Sequence, residues 1–423
     1  MTPVTLTNWA GNVRFGAKQL HRPASIAELC DIVGAAERIR ALGTRHSFSD
    51  IADSPGDLVT VVGLPAEIEI DSAAATVRVS AGLRYGEVAG HLHAAGWALP
   101  NLGSLPHISI AGACATGTHG SGNRNGNLSS AVAALDLVTA GGEIVHISGA
   151  DRCGAVVGLG GFGVVTHMIL RLVPTFTVAQ YVYDDLPLDK PEGVLDEAFA
   201  AGYSVSLFTD WKGDRANQVW VKSRVGEESP PPARWLGARL ADTPRHPIAG
   251  MPTQNCTEQL GKPGPWHERL PHFRLEFTPS AGEELQSEYL VPRERAVEAL
   301  AAIRDIRERV ASVLQISELR TVAADDLWLS PSYGRDSLAI HFTWVKDPAA
   351  VAPVIDAVEE RLAPLAPRPH WGKLFSTPAP LLRQRYERFD DFKQLVRRFD
   401  PAGKFRNRWL DRLLGEAEVT SGG

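Results

Sequence analysis

Apolar positions recur along this chain at two periods, helical and extended, and the two are mixed from end to end. Ser25-Ile-Ala-Glu28 sets a capping serine three residues ahead of a glutamate, and the spacing after it predicts a helix through about residue 40. A short strand then delivers a loop at 41–50. Residues 59–62, 68–70 and 76–80 read as short strands separated by Gly, Pro and Asp. Residues 85–95 read as a helix stopped by Gly96, and 132–139 with 143–147 as a hairpin about Gly141-Gly142. Farther on come a helix at 191–201, strands at 204–209 and 218–223, and a stretch at 225–271 rich in Pro, Arg and Trp. That stretch has no period, as in a functional cap or an excursion. An amphipathic helix at 293–309, strands at 313–322 and 338–345, and helices at 351–362 and 381–399 complete an α+β pattern without repeats.

One stretch cannot serve a core. Residues 102–122, LGSLPHISIAGACATGTHGSG, carry little apolar area to bury but many glycines. Such backbone can approach a ligand closely and turn successive N–H groups toward an anion. It reads as a nucleotide-binding loop running along a pyrophosphate. A linker would be polar throughout and lack the interleaved Leu, Ile and Ala. The loop ALGTRHSFSD at 41–50, with His46 at its tip, has small polar residues after a strand and suits the same task. Gly158-Leu-Gly160-Gly-Phe-Gly163 matches GxGxxG, but the β-branched VVTHMILRLVP after it predicts a strand where a Rossmann fingerprint needs a helix.

Two residue pairs carry candidate chemistry. In ISELR, Glu318 and Arg320 are two apart on a strand and share a face; in LAIHFTWV, His341 and Thr343 do the same. Either pair alone is an ordinary solvated sheet face. If the strands are neighbours, four polar side chains line one surface, and Lys373 of HWGK adds a second cation. His91 and His93 have HxH spacing but fall on different faces of a helix, so they predict no metal site. Gly103-Ser104-Leu105 is no nucleophile elbow.

Composition narrows the class. The chain has 423 residues, room for two or three domains at roughly 150 each. Its net charge of −6 offers no footprint for nucleic acid. Cys30, Cys114, Cys153 and Cys256 form no CxxC and read as reduced thiols. The first residues lack a basic start and apolar run, and no apolar stretch approaches membrane-spanning length, so the expected location is cytoplasmic, without a membrane partner.

Taken together, GTRHSFSD at 43–50, the 102–122 stretch, ISELR, HWGK at 370–373 and DPAGKFRN at 400–407 resemble the vanillyl-alcohol-oxidase family of FAD-dependent oxidoreductases, in its sugar-alcohol and aldonolactone branch. The resemblance spans nearly the whole chain in family order. It implies a two-domain fold, with an FAD-binding domain at 1–174 and a substrate or cap domain at 175–423. The cap domain is an antiparallel sheet flanked by helices, and residues from about 370 return to the flavin. It implies FAD held by Gly43, Thr44, Arg45, His46, Ser47, Ser104, Ser109, Gly112, Thr116, Gly117, Thr118, His119, Val165 and His370, with a covalent link from His46 to the flavin C8α. His107 and His119 would brace the loop, and Asn407 would support the flavin side.

The implied reaction is oxidation of the terminal C1 hydroxyl of alditols such as xylitol and sorbitol, with hydride passing to flavin N5 and O2 yielding H2O2. The alternative in the same branch is a gulono- or galactono-1,4-lactone oxidase or dehydrogenase; a third reading is a flavin- or sugar-binding protein without turnover. Ser104, Glu318, Arg320, Thr343 and Lys373 would bind the polyol, with Arg320 and Lys373 on its terminal oxygen. His341 is the candidate base. Gly103 would leave room for oxygen at the flavin. A pocket of this kind rejects analogues that lack hydroxyls, because its own polar atoms would be stranded. The expected partners are a polyol and O2, and the expected state is a monomer.

Overall fold

Ser25 caps the first helix as its sequence predicts, accepting a hydrogen bond from the Glu28 N–H at 3.2 Å. The computed structural model of the chain, which describes residues 6–277 and 282–415, ends that helix early, at Ile26–Ala35. Residues 39–41 are instead a strand, paired in parallel with Asp57–Val59, which pairs in turn with Leu20–His21. Tertiary contact overrides the helical period here. Ile39 is fully buried, and the buried Arg40 guanidinium binds the Phe405, Ile51 and Leu159 carbonyls. The strand expected at 59–62 is correspondingly Asp57–Val59, followed by a 3-10 turn at Val61–Gly63.

An antiparallel five-stranded sheet follows, in the order Ile68–Asp71, Thr76–Ser80, Val164–Arg171, Val132–Val138, Ile144–Ile147. Gly163 delivers the central strand at φ +148°, where a Cβ would strike the Val138 carbonyl at 2.4 Å. The GxGxxG segment thus opens a strand, not a helix. The core of this body includes Val88 and Leu92 of the helix Tyr85–Ala94. It also takes in Phe392 and Val396 of the helix Phe389–Phe399 and Leu410 and Leu414 of the helix Arg408–Leu414. The helices Phe389–Phe399 and Arg408–Leu414 therefore share a core with residues from the first half of the chain.

A larger antiparallel sheet forms the second body. Its central strands run Thr177–Pro187, Arg215–Arg224, Ser204–Thr209, Leu314–Val322, Ser337–Val345, Glu284–Pro292. One face packs on the helices Ala296–Arg304 and Pro348–Leu362 through Leu300, Ile303, Val354 and Val358. The other face turns toward the first body. Two of these strands, Thr177–Pro187 and Glu284–Pro292, have no counterpart in the pattern reading. The helix predicted at 293–309 is broken into Arg293–Arg295, Ala296–Arg304 and Arg307–Ala311. The one predicted at 381–399 is split into Ala379–Arg385 and Phe389–Phe399. Buried Tyr386 leaves helical geometry between them, stacking on Trp371 at 5.1 Å with the Arg368 guanidinium 4.9 Å from its ring. No helix among the described residues is long and apolar enough to cross a membrane.

Candidate active site

A cavity of about 600 Å³ runs between the two bodies. Its first-body wall is made by the two loops that the sequence singles out. They interlock: a Cβ on Gly43 or on Gly112 would strike Ser109 Oγ, at 2.7 and 2.8 Å, and the Ser109 N–H donates to Thr44 Oγ1 at 3.2 Å. Gly43, Thr44, Arg45, His46, Ser47, Ser104, Ser109, Gly112, Thr116, Thr118, His119, Val165 and His370 all lie on the wall. Gly117 does not. It makes the turn between the two threonines at φ +66°, and its open side faces Pro331 at 3.1 Å. His107 also lies off the wall, holding the Leu275 carbonyl at 2.8 Å. Asn407 caps the last helix and ties three carbonyls of 50–53.

His46 is stacked on Trp9, with ring centroids 5.3 Å apart, and its buried Nδ1 has no hydrogen-bond partner. Burial first, then the neighbouring His107, pushes its pKa down to about 4. It is therefore a neutral imidazole that lines the cavity and whose buried Nδ1 is unsatisfied. An orphaned buried polar atom is costly unless something else completes it. The glycine cradle around Ser109 and this nitrogen fit a flavin nucleotide.

The second body supplies the opposite end. Register places Glu318 opposite His341, and His341 opposite Glu288, so three adjacent strands form one cross-strand row. Glu288 is 1% exposed and carries most of the connections. Arg320 Nη2 donates to its Oε1 at 2.6 Å, Lys373 Nζ to its Oε2 at 2.6 Å, and His119 Nε2 lies 3.3 Å away, off hydrogen-bond alignment. Burial would raise this carboxyl's pKa, but Lys373, Arg320 and His119 hold it well below the usual range. Glu318 is likewise held low against burial by Arg320, His272 and His341. Arg320 Nη1 also donates to Ser104 Oγ at 3.3 Å, joining the two walls. Lys373 Nζ meets His341 Nδ1 at 2.7 Å, and His341 Nε2 meets Thr343 Oγ1 at 3.0 Å. Burial, then Lys373, lowers the His341 pKa to about 4.

HWGK reaches this place because it is stitched to the Glu284–Pro292 strand, with His370 N–H on the Glu288 carbonyl at 2.9 Å and Leu374 N–H on that of Gln286 at 2.9 Å. The Phe48 N–H holds the Gly372 carbonyl at 2.7 Å, so the same turn anchors the His46 loop. The 225–271 stretch contributes His246 and Ile248 to the wall, and His272 and Phe273 follow, their N–H groups on the Ser104 carbonyl at 3.0 and 3.4 Å. Gly103 is on the wall as well, and a Cβ there would meet the protein only at 3.7 Å or more. No group of residues among those described could hold a metal ion.

Glu288, His272 and Trp9 were not legible as site residues. Only Glu288 left a trace, as an acid two residues from Gln286 and four from Glu284.

The chain is similar to known proteins over nearly its whole length. A family model described as an FAD binding domain matches residues 17–148, and one described as D-arabinono-1,4-lactone oxidase matches 282–413. The chain is 53% identical over 414 residues to an alditol oxidase of Streptomyces sp., covering 97% of this chain and 99% of that one. It is 31% identical over 436 residues to an L-gulono-1,4-lactone dehydrogenase of Mycobacterium tuberculosis, covering 98% and 100%. Among solved structures it is similar in fold to cholesterol oxidase from B. sterolicum, with a TM-score of 0.72, 16% identity and 96% of each chain covered.

Proposed function

Because the chain belongs to the FAD-linked oxidoreductase family that holds alditol oxidase and the aldonolactone oxidases, we propose that it oxidises the terminal hydroxyl of alditols, with xylitol and sorbitol as substrates. When bound, FAD supplies the two-electron acceptor for the C1 hydrogen, and O2 restores it with release of H2O2. The observation that carries the reading is the buried row Glu318, His341, Glu288 with Arg320 and Lys373 at the end of a cavity that His46 begins.

Each residue then has a task. Arg320 and Lys373 hold the terminal oxygen, and two cations in a buried site favour the alkoxide over the alcohol. Glu318 accepts from inner hydroxyls, Thr343 assists, and Ser104 meets the hydroxyl next to the reacting end. His341 takes the hydroxyl proton. While charged Lys373 donates to Nδ1, the imidazole carries its hydrogen on Nε2 and has no lone pair to offer. As Lys373 turns its hydrogen bond to the substrate oxygen, Nδ1 is freed to accept.

The neutral, unpartnered His46 nitrogen supports a covalent bond to the flavin. Acid-precipitated protein should stay yellow, whereas His46→Ala should release its flavin to the supernatant. A colourless wild-type pellet would refute the bond.

The lactone-oxidase match over 282–413 sustains one competing substrate, an aldonolactone. Anaerobic addition of xylitol to one sample and gulono-1,4-lactone to another separates them. Xylitol should bleach the flavin bands and admitted air should restore them. Bleaching by the lactone alone would move the substrate to the lactone branch. Failure of air to restore the bands would remove both the oxidase reading and the oxygen role of Gly103.

A further inference from the structure

Glu318 does not face its substrate unassisted. Its Oε1 lies 2.8 Å from His272 Nε2, and His272 Nδ1 lies 2.9 Å from Lys222 Nζ. Lys222 sits on the Arg215–Arg224 strand, is 1% exposed, and also donates to the Leu270 carbonyl. Among the described residues it has no carboxylate partner, which is a costly state for a buried lysine. It lines no part of the cavity.

The two contacts of the imidazole fix a tautomer. The Glu318 carboxylate can only accept, so the ring hydrogen belongs on Nε2, and Nδ1 of His272 accepts from the Lys222 amine. The ring's single hydrogen is then on Nε2, where it is donated to Glu318 Oε1. With the tautomer reversed, a nitrogen lone pair would oppose a carboxylate oxygen at 2.8 Å, and Glu318 would have to turn. Burial, then Lys222, keeps His272 neutral, with its pKa lowered to about 4. The arrangement recurs across the site, where Lys373 holds Nδ1 of His341 at 2.7 Å and Nε2 addresses Thr343 at 3.0 Å.

We propose that Lys222 is a positioning residue for polyol recognition: by donating to Nδ1 of His272 it holds the ring whose Nε2–H caps one oxygen of Glu318, leaving the other an acceptor for substrate hydroxyls. This rests on the alditol-oxidising reading for its substrate, but the tautomer can be observed without any substrate.

The holoenzyme labelled with 15N-histidine should show His272, identified by its loss in His272→Gln, carrying its hydrogen on Nε2. Lys222→Met should leave Nδ1 without its donor, moving its 15N resonance to that of an imidazole nitrogen with no hydrogen bond, while Glu318 keeps the hydrogen on Nε2. It should also raise the xylitol KM about tenfold or more, with kcat within about threefold and flavin content unchanged. In the His272→Gln background the glutamine amide can donate to Glu318 without a lysine, so adding Lys222→Met should raise KM no further. An unmoved His272 Nδ1 resonance, or the same KM increase in both backgrounds, would make Lys222 merely structural and overturn the proposal. Should Lys222→Met fail to fold, the wild-type spectrum still decides, since a hydrogen on Nδ1 of His272 excludes the clamp. If xylitol does not reduce the wild-type flavin while the tautomer behaves as expected, it is the substrate assignment that fails.

Discussion

Replacing Glu288 by Gln is expected to slow anaerobic flavin reduction by xylitol at least a hundredfold near pH 7.5, and part of that rate should return as pH is lowered toward 5. The substitution keeps shape and removes the one charge shared by Arg320 and Lys373. Breaking a buried ion pair from one side costs about 3–5 kcal/mol, because the remaining charge is left without compensation. Arg320 cannot relieve this by losing its proton, but Lys373 can. Its pKa is already lowered by burial, and Glu288 is the largest influence opposing that. Without Glu288 its pKa falls further, so a larger share of Lys373 is the neutral amine at a given pH and the terminal oxygen loses part of the charge that held it. A group whose folded pKa is depressed is recharged by lowering the pH. Recovery should therefore appear on the acid side, down to about pH 4, where His341 itself protonates. Spread over 423 residues, the destabilisation is roughly 3–6 °C in the thermal midpoint, at the low end if Lys373 neutralises. A rate that is unchanged, or that falls further as pH is lowered from 7.5 to 5, would refute the role assigned to Glu288.

That residue also marks the limit of what the chain discloses. Glu318, Arg320, His341 and Thr343 were readable because a strand puts i and i+2 on one face, and their strands do lie side by side. Glu288 occupies a strand of the same sheet, yet ELQSEYLVP alternates poorly. A glutamate in its middle is compatible with burial only because Arg320 and Lys373, 32 and 85 residues away, come to meet it. Nothing local announces such pairing. Lys222 and His272 are hidden for the same reason, one inside a predicted strand and the other beyond an aperiodic stretch. The glycine-rich loop was legible because its composition is incompatible with a core, although Gly117 shows that composition does not say which glycine faces the ligand. Helix lengths failed at residues 36–41 and 386–388, where sheet pairing and a Tyr386–Trp371 stack outweigh propensities worth a few tenths of a kcal/mol per residue.

Replacing Lys373 by Met should leave the flavin bound and lower the rate of its reduction by polyol about a thousandfold. Its ammonium reaches Glu288 at 2.6 Å and His341 Nδ1 at 2.7 Å, and in the assigned mechanism it exchanges the second bond for one to the terminal oxygen. Methionine removes that donor in the step where charge develops on the oxygen, and losing one such donor costs about a hundred- to a thousandfold. It also removes the hydrogen that fixes the His341 tautomer, so some molecules would carry the ring hydrogen on Nδ1, facing the substrate oxygen. The two losses act on the same step, which places the expected effect at the upper end of that range. Glu288 keeps Arg320 as its counter-ion, so the protein should fold and hold FAD on the opposite wall. The two effects can be told apart by added alkylamines: a small ammonium entering the vacated space should restore part of the rate if the missing donor dominates. Stopped-flow reduction measures both. Wild-type reduction in Lys373→Met would remove Lys373 from the reaction, whereas slow reduction with amine rescue would assign it the oxygen-holding cation.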